Sequence, residues 1–321
     1  MTLGVAALLY RYAWIPVDWE VGLARAERIW GLPVTDVGKW FSGWAAGDGQ
    51  AYAVIAADPF GLKEGWGLGY PTYRYLRAGF GWLAGIGSLG QDRWIPYGLA
   101  LVSAASVIAL FVLAVRLRPR LGRSAWLLPL NPTVLLAFAG DTAESLGILA
   151  LAWTFASGRW WAPAALGIIR PTFLVALVGR WKLLLLGALS SVIFGGLWIL
   201  RFGWNFREYS SSLSLPITGY WQEPSFGSIG LALLAAFTIF IGLRERDWGW
   251  VASGLFVLSF SGFVLMEPAN GWRAAGLLFV LWAFGPGWSL RGAAVDDATH
   301  ELQPGSTASP ESPEIGRYSR A

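Results

Sequence analysis

Residues 93–116 read RWIPYGLALVSAASVIALFVLAVR, which is a run of 22 uncharged residues between Arg93 and Arg116. A transmembrane helix needs about 20 predominantly apolar residues, because it rises about 1.5 Å per residue across a hydrocarbon core of about 30 Å. This stretch therefore predicts a membrane-spanning helix. Four further uncharged runs of 17 to 20 residues lie farther along the chain, at 183–200, 224–243, 248–266 and 274–290.

The apolar sequence between these runs is interrupted. Residues 124–140 carry no charge, but Pro129 and Pro132 predict a kink, because proline removes a backbone donor and clashes with the preceding turn. Residues 145–179 are divided by Arg159 and Arg170, and we interpret them as three short helices.

The N-terminal stretch 1–17 is apolar but short, and Arg11 interrupts it, so we keep it as a doubtful first span. With this span, the chain is predicted to be an all-α integral membrane protein, a polytopic helical bundle of about 9–10 spans. The bundle occupies 94–290 and follows a long loop, 18–93, while the polar tail 291–321 has a composition that predicts disorder.

The composition excludes several classes of protein. Hydrophobic residues make up 55% of the 321 residues and charged residues 14%, whereas a soluble domain has about 25% charged residues. Cysteine is absent and the single histidine, His300, lies in the tail, which excludes thiol, disulfide and zinc-thiolate chemistry and disfavours imidazole chemistry. The net charge is +4, and the arginines lie between apolar runs. This placement indicates membrane topology and not a nucleic-acid partner.

Basic loops set the orientation, because lysine and arginine are enriched on the cytoplasmic side. The densest basic loop is 116–123, and Arg159, Arg180 and Arg244 mark three more. We expect these loops and the tail to be cytoplasmic. The absence of cysteine from a chain with a long exported loop suits a bacterial envelope, so the expected location is the cytoplasmic membrane of a bacterium. The long loop 18–93 and the turn around Asp141 are then extracytoplasmic.

Tryptophan supports this layout, because indole rings favour the membrane interface. Many of the 21 tryptophans fall near the ends of predicted spans and are interpreted as an interfacial belt, among them Trp94, Trp160, Trp181, Trp248 and Trp250.

The long loop contains the sequence Gly-Asp-Gly-Gln-Ala-Tyr at residues 47–52. Asp48 lies between two glycines, so its carboxylate is not shielded by neighbouring side chains and another group can approach it closely. A turn is the alternative interpretation, since Asp-Gly is a common turn dipeptide. Asp58, which precedes Pro59, is most simply a turn residue.

Two more acidic residues and one arginine stand out within the apolar region. Arg170 lies between apolar runs, so it is expected to face an aqueous cavity, to bind a ligand, or to be neutralised by Asp141 or Glu144. The spacing of Asp141 and Glu144 puts both carboxylates on one helix face. They could bind a divalent cation, pair with Arg170, or cap the following helix.

The ordered set of short motifs resembles a known family. The motifs are the Asp48 sequence, Ala-Asp-Pro-Phe at 57–60, Tyr-Arg-x-x-Arg at 73–77, Asn-Pro at 131–132, the acidic Glu-Ser-Leu turn at 141–146, Arg-Pro-Thr at 170–172, and Arg273. Their order resembles that of bacterial membrane glycosyltransferases of the GT-C fold, specifically actinobacterial relatives of PIG-V type mannosyltransferases.

The resemblance implies inverting transfer of a sugar, mannose or similar, from a polyprenyl-phosphate donor to an envelope glycan or glycolipid acceptor on the outer face. It implies Asp48 as the general base, with Gln50 and Tyr52 of the same motif at the substrate. The lipid phosphate needs cationic partners, and arginine binds phosphate bidentately. The candidates are Arg74, Arg77, Arg170 and Arg273.

Simpler roles for these arginines stay open, namely headgroup anchoring for Arg74 and Arg77 and snorkelling for Arg273. Two other functions also stay open. A transporter or flippase for a lipid or small solute would equally use polar residues within spans and proline-kinked helices. An inactive GT-C-like scaffold would retain the fold and bind a partner in envelope synthesis.

Overall fold

The computed structural model describes residues 49–62, 70–140, 142–204, 226–263 and 268–288, and within these ranges the chain is all-α. All but Gly287 and Trp288 belong to one compact unit, Met1–Pro286. The doubtful span 1–17 and the tail 291–321 lie outside the described residues, as do Asp48 and Asp141.

The described α-helices are numbered here in chain order. They are α1 Gly49–Ala57, α2 Pro71–Tyr75, α3 Gly79–Gly87, α4 Ile95–Leu121, α5 Pro132–Gly140, α6 Glu144–Ser157, α7 Trp161–Ile169, α8 Trp181–Phe202, α9 Phe226–Glu245, α10 Trp248–Phe263 and α11 Pro268–Phe284. Short 3-10 helices lie at Asp92–Trp94, Gly122–Leu127 and Pro171–Leu177.

The five long uncharged runs correspond to α4, α8, α9, α10 and α11. The prediction of a basic loop over 116–123 is wrong for residues 116–121, which continue α4 to Leu121, because arginine ends an apolar run without breaking a helix. Among the described residues, two helical stretches are long and apolar enough to cross a membrane, Asp92–Leu127 with 36 residues and Trp181–Phe202 with 22. Shorter apolar helices include Glu144–Ser157 and Arg273–Phe284.

The predicted interruptions are confirmed. The 3-10 helix after α4 ends at Leu127, and α5 begins at Pro132, so the proline pair separates two helical segments. Residues 144–177 form three short pieces: α6, α7 and the 3-10 helix Pro171–Leu177. Arg170 separates the last two, because the residue before a proline disfavours the helical conformation.

Glycine allows the first helices to pack closely. A Cβ atom at Gly98 of α4 would collide with the carbonyl oxygen of Ala84 in α3, and one at Gly81 of α3 would lie 2.7 Å from a methyl carbon of Ile55 in α1. Small residues at helix contacts let the backbones approach, as is common in membrane bundles.

One buried apolar cluster contains residues from six helices, α1 to α4, α7 and α8. It includes Tyr52 of α1, Phe80 of α3, Ile169 of α7 and Trp198 of α8, together with Ala143, which directly precedes α6. Two of these residues are the chain neighbours of Glu144 and Arg170. Glu144 and Arg170 therefore lie next to the buried cluster in which α1 packs.

The tryptophan interpretation needs one correction. Trp160, Trp181 and Trp248 are exposed, at 68%, 73% and 60%. Trp250, however, is only 1% exposed and packs its ring 5.3 Å from that of Trp282, so it belongs to the core and not to an interfacial belt.

Candidate functional site

Two arginines bind the same carboxylate oxygen. Oε1 of Glu144 lies 2.7 Å from Nη2 of Arg170 and 2.6 Å from Nη2 of Arg273. Nε of Arg273 also donates to this oxygen, at 2.9 Å. The side chain of Glu144 is fully buried, and those of Arg170 and Arg273 are 10% and 19% exposed. We refer to these three residues as the Glu144 cluster.

The chain around Arg170 explains how its side chain reaches Glu144. Pro171 follows Arg170, so α7 stops and Arg170 takes an extended backbone conformation, with φ −149° and ψ 75°. Opposite it, Gly147 lies one turn after Glu144 in α6, and a Cβ atom there would be 2.9 Å from Cβ of Arg170. Because Gly147 has no side chain, the backbone of Arg170 can approach α6 closely.

Arg273 lies on α11, and this helix is joined to the start of α5. Gly276, one turn later, accepts a 2.8 Å hydrogen bond from the Asn131 side-chain amide through its carbonyl oxygen. Oδ1 of Asn131 in turn accepts a hydrogen bond from the backbone N–H of Thr133, at the start of α5. The Asn-Pro motif thus joins α5 to the helix that carries Arg273.

A buried carboxylate between two guanidinium groups is a costly arrangement that persists only when the charges are paired. It also fixes the guanidinium groups in position.

Nε of Arg170 is buried and makes no hydrogen bond within the described residues. A buried donor without an acceptor costs about 1–3 kcal/mol, and such groups often mark the place of a ligand. Chemically, the cluster can donate charge-assisted hydrogen bonds to an anion such as a phosphate.

The contacts of Glu144 distinguish its three interpretations. Glu144 lies in the first turn of α6, but it does not cap the helix through a hydrogen bond, because Ala143 is the N-cap residue and no side-chain hydrogen bond caps the helix there. Pairing of Glu144 with Arg170 is observed. A divalent cation is disfavoured at this carboxylate by the two adjacent positive charges, and no group of three potential metal ligands occurs in the described ranges.

The other two candidate arginines surround one tyrosine. The guanidinium carbon of Arg77 lies 4.5 Å from the ring centre of Tyr73, and that of Arg74 lies 5.7 Å from it. Arg77 is buried, with 6% of its surface exposed, while Arg74 is partly buried. These cation–π contacts hold both side chains in place.

The start of α3, just after Arg77, contacts the chain just before Arg170. A Cβ atom at Gly79, two residues after Arg77, would lie 2.9 Å from a side-chain carbon of Ile169, the residue before Arg170. Tyr52 is 2% exposed, with its ring edge-on to Phe80 at 5.1 Å.

Gln50 is partly buried in the first turn of α1. Of the candidate residues, the structure therefore joins Glu144, Arg170 and Arg273 directly. It places Tyr52 in the core cluster that adjoins them.

Asp58 is a turn residue, as predicted. Its backbone carbonyl oxygen accepts hydrogen bonds from the N–H of Gly61 and, at 2.6 Å, from the hydroxyl of Tyr75. Burial of Tyr75, together with the nearby Asp58 carboxylate, raises the pKa of the Tyr75 hydroxyl above its usual value. The hydroxyl therefore stays protonated and keeps donating at neutral pH.

Sequence reasoning missed a second ion pair, which is partly buried. Nη2 of Arg180 lies 3.2 Å from Oδ2 of Asp247, and the two side chains are 10% and 9% exposed. Oδ1 of Asp247 accepts from the N–H of Gly249, which identifies Asp247 as the cap of α10. The signal for this role is an aspartate directly before an apolar run. The Arg180 guanidinium also lies 4.7 Å from the ring of Phe155, near the C-terminal end of α6.

No protein-family model, no curated protein and no solved structure matches the chain.

Proposed function

We propose that this chain is a GT-C type membrane glycosyltransferase that moves a sugar, mannose or similar, from a polyprenyl-phosphate donor to an envelope glycan or glycolipid, with inversion. The observation that carries the proposal is the convergence of Arg170 and Arg273 on Glu144. These residues belong to three motifs of the resemblance and come from distant parts of the chain. In this proposal the cluster holds the donor phosphate.

The finer architecture belongs to the same proposal: a polytopic bundle of about 9–10 spans with its active face outside the cytoplasmic membrane. Two clusters on α6 support the assignment of faces. Glu144 begins this helix, while Phe155, which contacts Arg180, lies near its end, about 17 Å away along the axis. The loop at Arg180 is one of the four basic loops predicted to be cytoplasmic, so the Glu144 cluster, at the other end of α6, is assigned to the extracytoplasmic half.

In the proposed reaction, the hydroxyl oxygen of the acceptor attacks the anomeric carbon of the donor sugar. Asp48 accepts the proton that this hydroxyl loses. The bond from that carbon to the phosphate oxygen breaks, and polyprenyl phosphate leaves with the bonding electron pair. Arg170 and Arg273 stabilise the negative charge that grows on the phosphate, with Arg74 and Arg77 as further cationic contacts.

The packing of α1 supports a role for the Asp48 motif near this cluster. Gly49, the residue after Asp48, begins α1. Tyr52 and Ile55 of α1 share a buried cluster with Ala143 and Ile169, the chain neighbours of Glu144 and Arg170.

The test is sugar transfer from polyprenyl-phosphate mannose in membranes that contain wild type, Asp48→Asn or Asp92→Asn at matched protein levels. Asp92 is an exposed acid at the start of the first long helical stretch and serves as the control. We expect Asp48→Asn to lose at least about 100-fold in rate, because a general base contributes about 10²–10⁴. Asp92→Asn should keep the wild-type rate.

Near wild-type transfer by a folded, membrane-inserted Asp48→Asn would exclude this aspartate as the base. If wild type transfers no sugar from any polyprenyl-phosphate donor but shows ligand-dependent thermal shifts, the enzyme proposal fails in favour of a carrier or scaffold.

A further inference from the structure

An open apolar groove of about 620 Å³ lies between the end of α1 and the end of α3. Its lining consists of apolar residues and glycines, including Ala57, Phe60, Trp82, Ile86 and Leu89. We call it the α1–α3 groove. Its volume is in the range of about 300–1,000 Å³ that holds one medium-sized ligand.

Two polar groups of the lining residues, the indole of Trp82 and the carbonyl oxygen of Gly85, already have partners within the chain. The indole N–H of Trp82 donates to the carbonyl oxygen of Pro59 at 2.9 Å. The hydroxyl of Ser88 donates to the carbonyl oxygen of Gly85 at 2.8 Å. A polar ligand would find few groups to bind there, whereas a hydrocarbon chain would lose no hydrogen bonds.

The rim of the groove exposes large apolar side chains. Phe60, Ile86 and Leu89 are 66%, 71% and 84% exposed. Leu89 also adopts φ 54°, a left-handed conformation that is unfavourable for a residue with a side chain. Exposed apolar patches of this kind mark contacts with a partner or a membrane.

The rim continues onto the first candidate span. A Cβ atom at Gly87, at the end of α3, would lie 3.6 Å from Cδ2 of Leu101, which is 58% exposed on α4. Where that span begins, Trp94 is 45% exposed and the Arg93 guanidinium lies 5.6 Å from its ring. An exposed tryptophan beside an arginine at a span end is typical of the membrane interface. If this stretch crosses the membrane, the groove lies beside the interface at the start of the span.

The groove is separate from the Glu144 cluster. None of its lining residues belongs to that cluster: Gly79 at the start of α3 contacts Ile169, next to Arg170, while the part of α3 from Trp82 onward lines the groove. A polyprenyl chain is long enough to reach both places, so the test below includes an isoprenoid probe beside the phospholipid. Arg93, exposed near the rim, suits an anionic headgroup.

We propose that the α1–α3 groove binds one acyl chain of an anionic bilayer phospholipid. The bound chain anchors the segment before the first long helix at the membrane surface. This inference depends on the candidate span Asp92–Leu127 and does not depend on sugar transfer.

The test reconstitutes the full chain in phosphatidylglycerol–phosphatidylcholine vesicles that contain phosphatidylglycerol with a diazirine in its acyl chain. After illumination, adducts are mapped by mass spectrometry. Ala57→Phe fills the groove, and Ala105→Phe makes the same change on the exposed face of α4. We expect adducts on the groove-lining residues in wild type and Ala105→Phe and their loss in Ala57→Phe. Leu89→Glu places a charge at the exposed rim without disturbing the core, and it should also lose them.

Three results would overturn the proposal: no groove adducts in wild type, undiminished adducts in both Ala57→Phe and Leu89→Glu, or groove labelling only by an isoprenoid diazirine probe. None of these variants touches Asp48 or the Glu144 cluster, so sugar transfer by Ala57→Phe reports separately on the glycosyltransferase proposal.

Discussion

The guanidinium group of Arg273 lies 2.6 Å from Oε1 of Glu144, although 129 residues separate the two in the chain. The carboxylate is fully buried, and Arg170 shares the same oxygen. This contact joins the first turn of α6 to α11 and makes the Glu144 cluster part of the fold as well as the candidate site.

Glu144→Gln should destabilise the protein strongly. The substitution leaves two buried guanidinium groups without their carboxylate, and breaking a buried ion pair costs about 3–5 kcal/mol. Unfolding of the detergent-solubilised protein measures the loss. The control is Glu245→Gln, because the pair of Arg244 and Glu245 is largely exposed and should contribute less than about 1 kcal/mol. Equal stabilities of the two variants would contradict the structural role of Glu144.

Gly98→Ala should destabilise the contact between α3 and α4. Its new Cβ atom would collide with the carbonyl oxygen of Ala84, a backbone atom that cannot rotate away. Overpacking of this kind costs about 1–3 kcal/mol. Gly196→Ala is the matched change in α8, where nothing lies within 4 Å of the added atom. It should be neutral or stabilise by up to about 1 kcal/mol through helix propensity. The reverse order of the two effects would refute this packing.

Tyr75→Phe should cost about 1 kcal/mol of stability, because it removes a buried hydrogen bond to the carbonyl oxygen of Asp58. Tyr97→Phe, at a partly exposed position near the start of α4, is the control. Thermal unfolding of the two variants provides the comparison. If Tyr75→Phe unfolds at the wild-type temperature, the hydroxyl does not hold the Asp58 turn.

The existence of the helices could be predicted from the uncharged runs, which lie within α4 and α8, and Pro132 and Pro171 mark the interruptions, because both effects are local. The helix ends could not be predicted in this way, because α4 continues past Arg116 and through Pro119 to Leu121. Side-chain partners were not predictable in the same way. Trp250 stands near a helix end like Trp248, but only packing against α11 shows that it is buried.

The candidate site could also be predicted only in part from the sequence. The apolar surroundings of Arg170 predicted that it needs a partner, and Glu144 was one of two acids available. The approach of Arg273 to the same oxygen depends on how α11 packs, which no local pattern specifies. The pairing of Asp247 with Arg180 could not be predicted from a local pattern, because 67 residues separate the two.

The most direct test of a phosphate-binding Glu144 cluster compares Arg170→Lys with Arg180→Lys. Both arginine side chains are 10% exposed and each pairs with a carboxylate that is at most 9% exposed, but only Arg170 belongs to the candidate site. The measurement is kcat/KM for polyprenyl-phosphate mannose at matched levels of folded protein. We expect Arg170→Lys to lose about 10–100-fold, because lysine cannot reproduce the planar fork and a charged hydrogen bond contributes about 1.5–3 kcal/mol. Arg180→Lys should keep nearly the wild-type value. Equal losses in both variants, or an unchanged kcat/KM in Arg170→Lys, would contradict phosphate binding by this cluster.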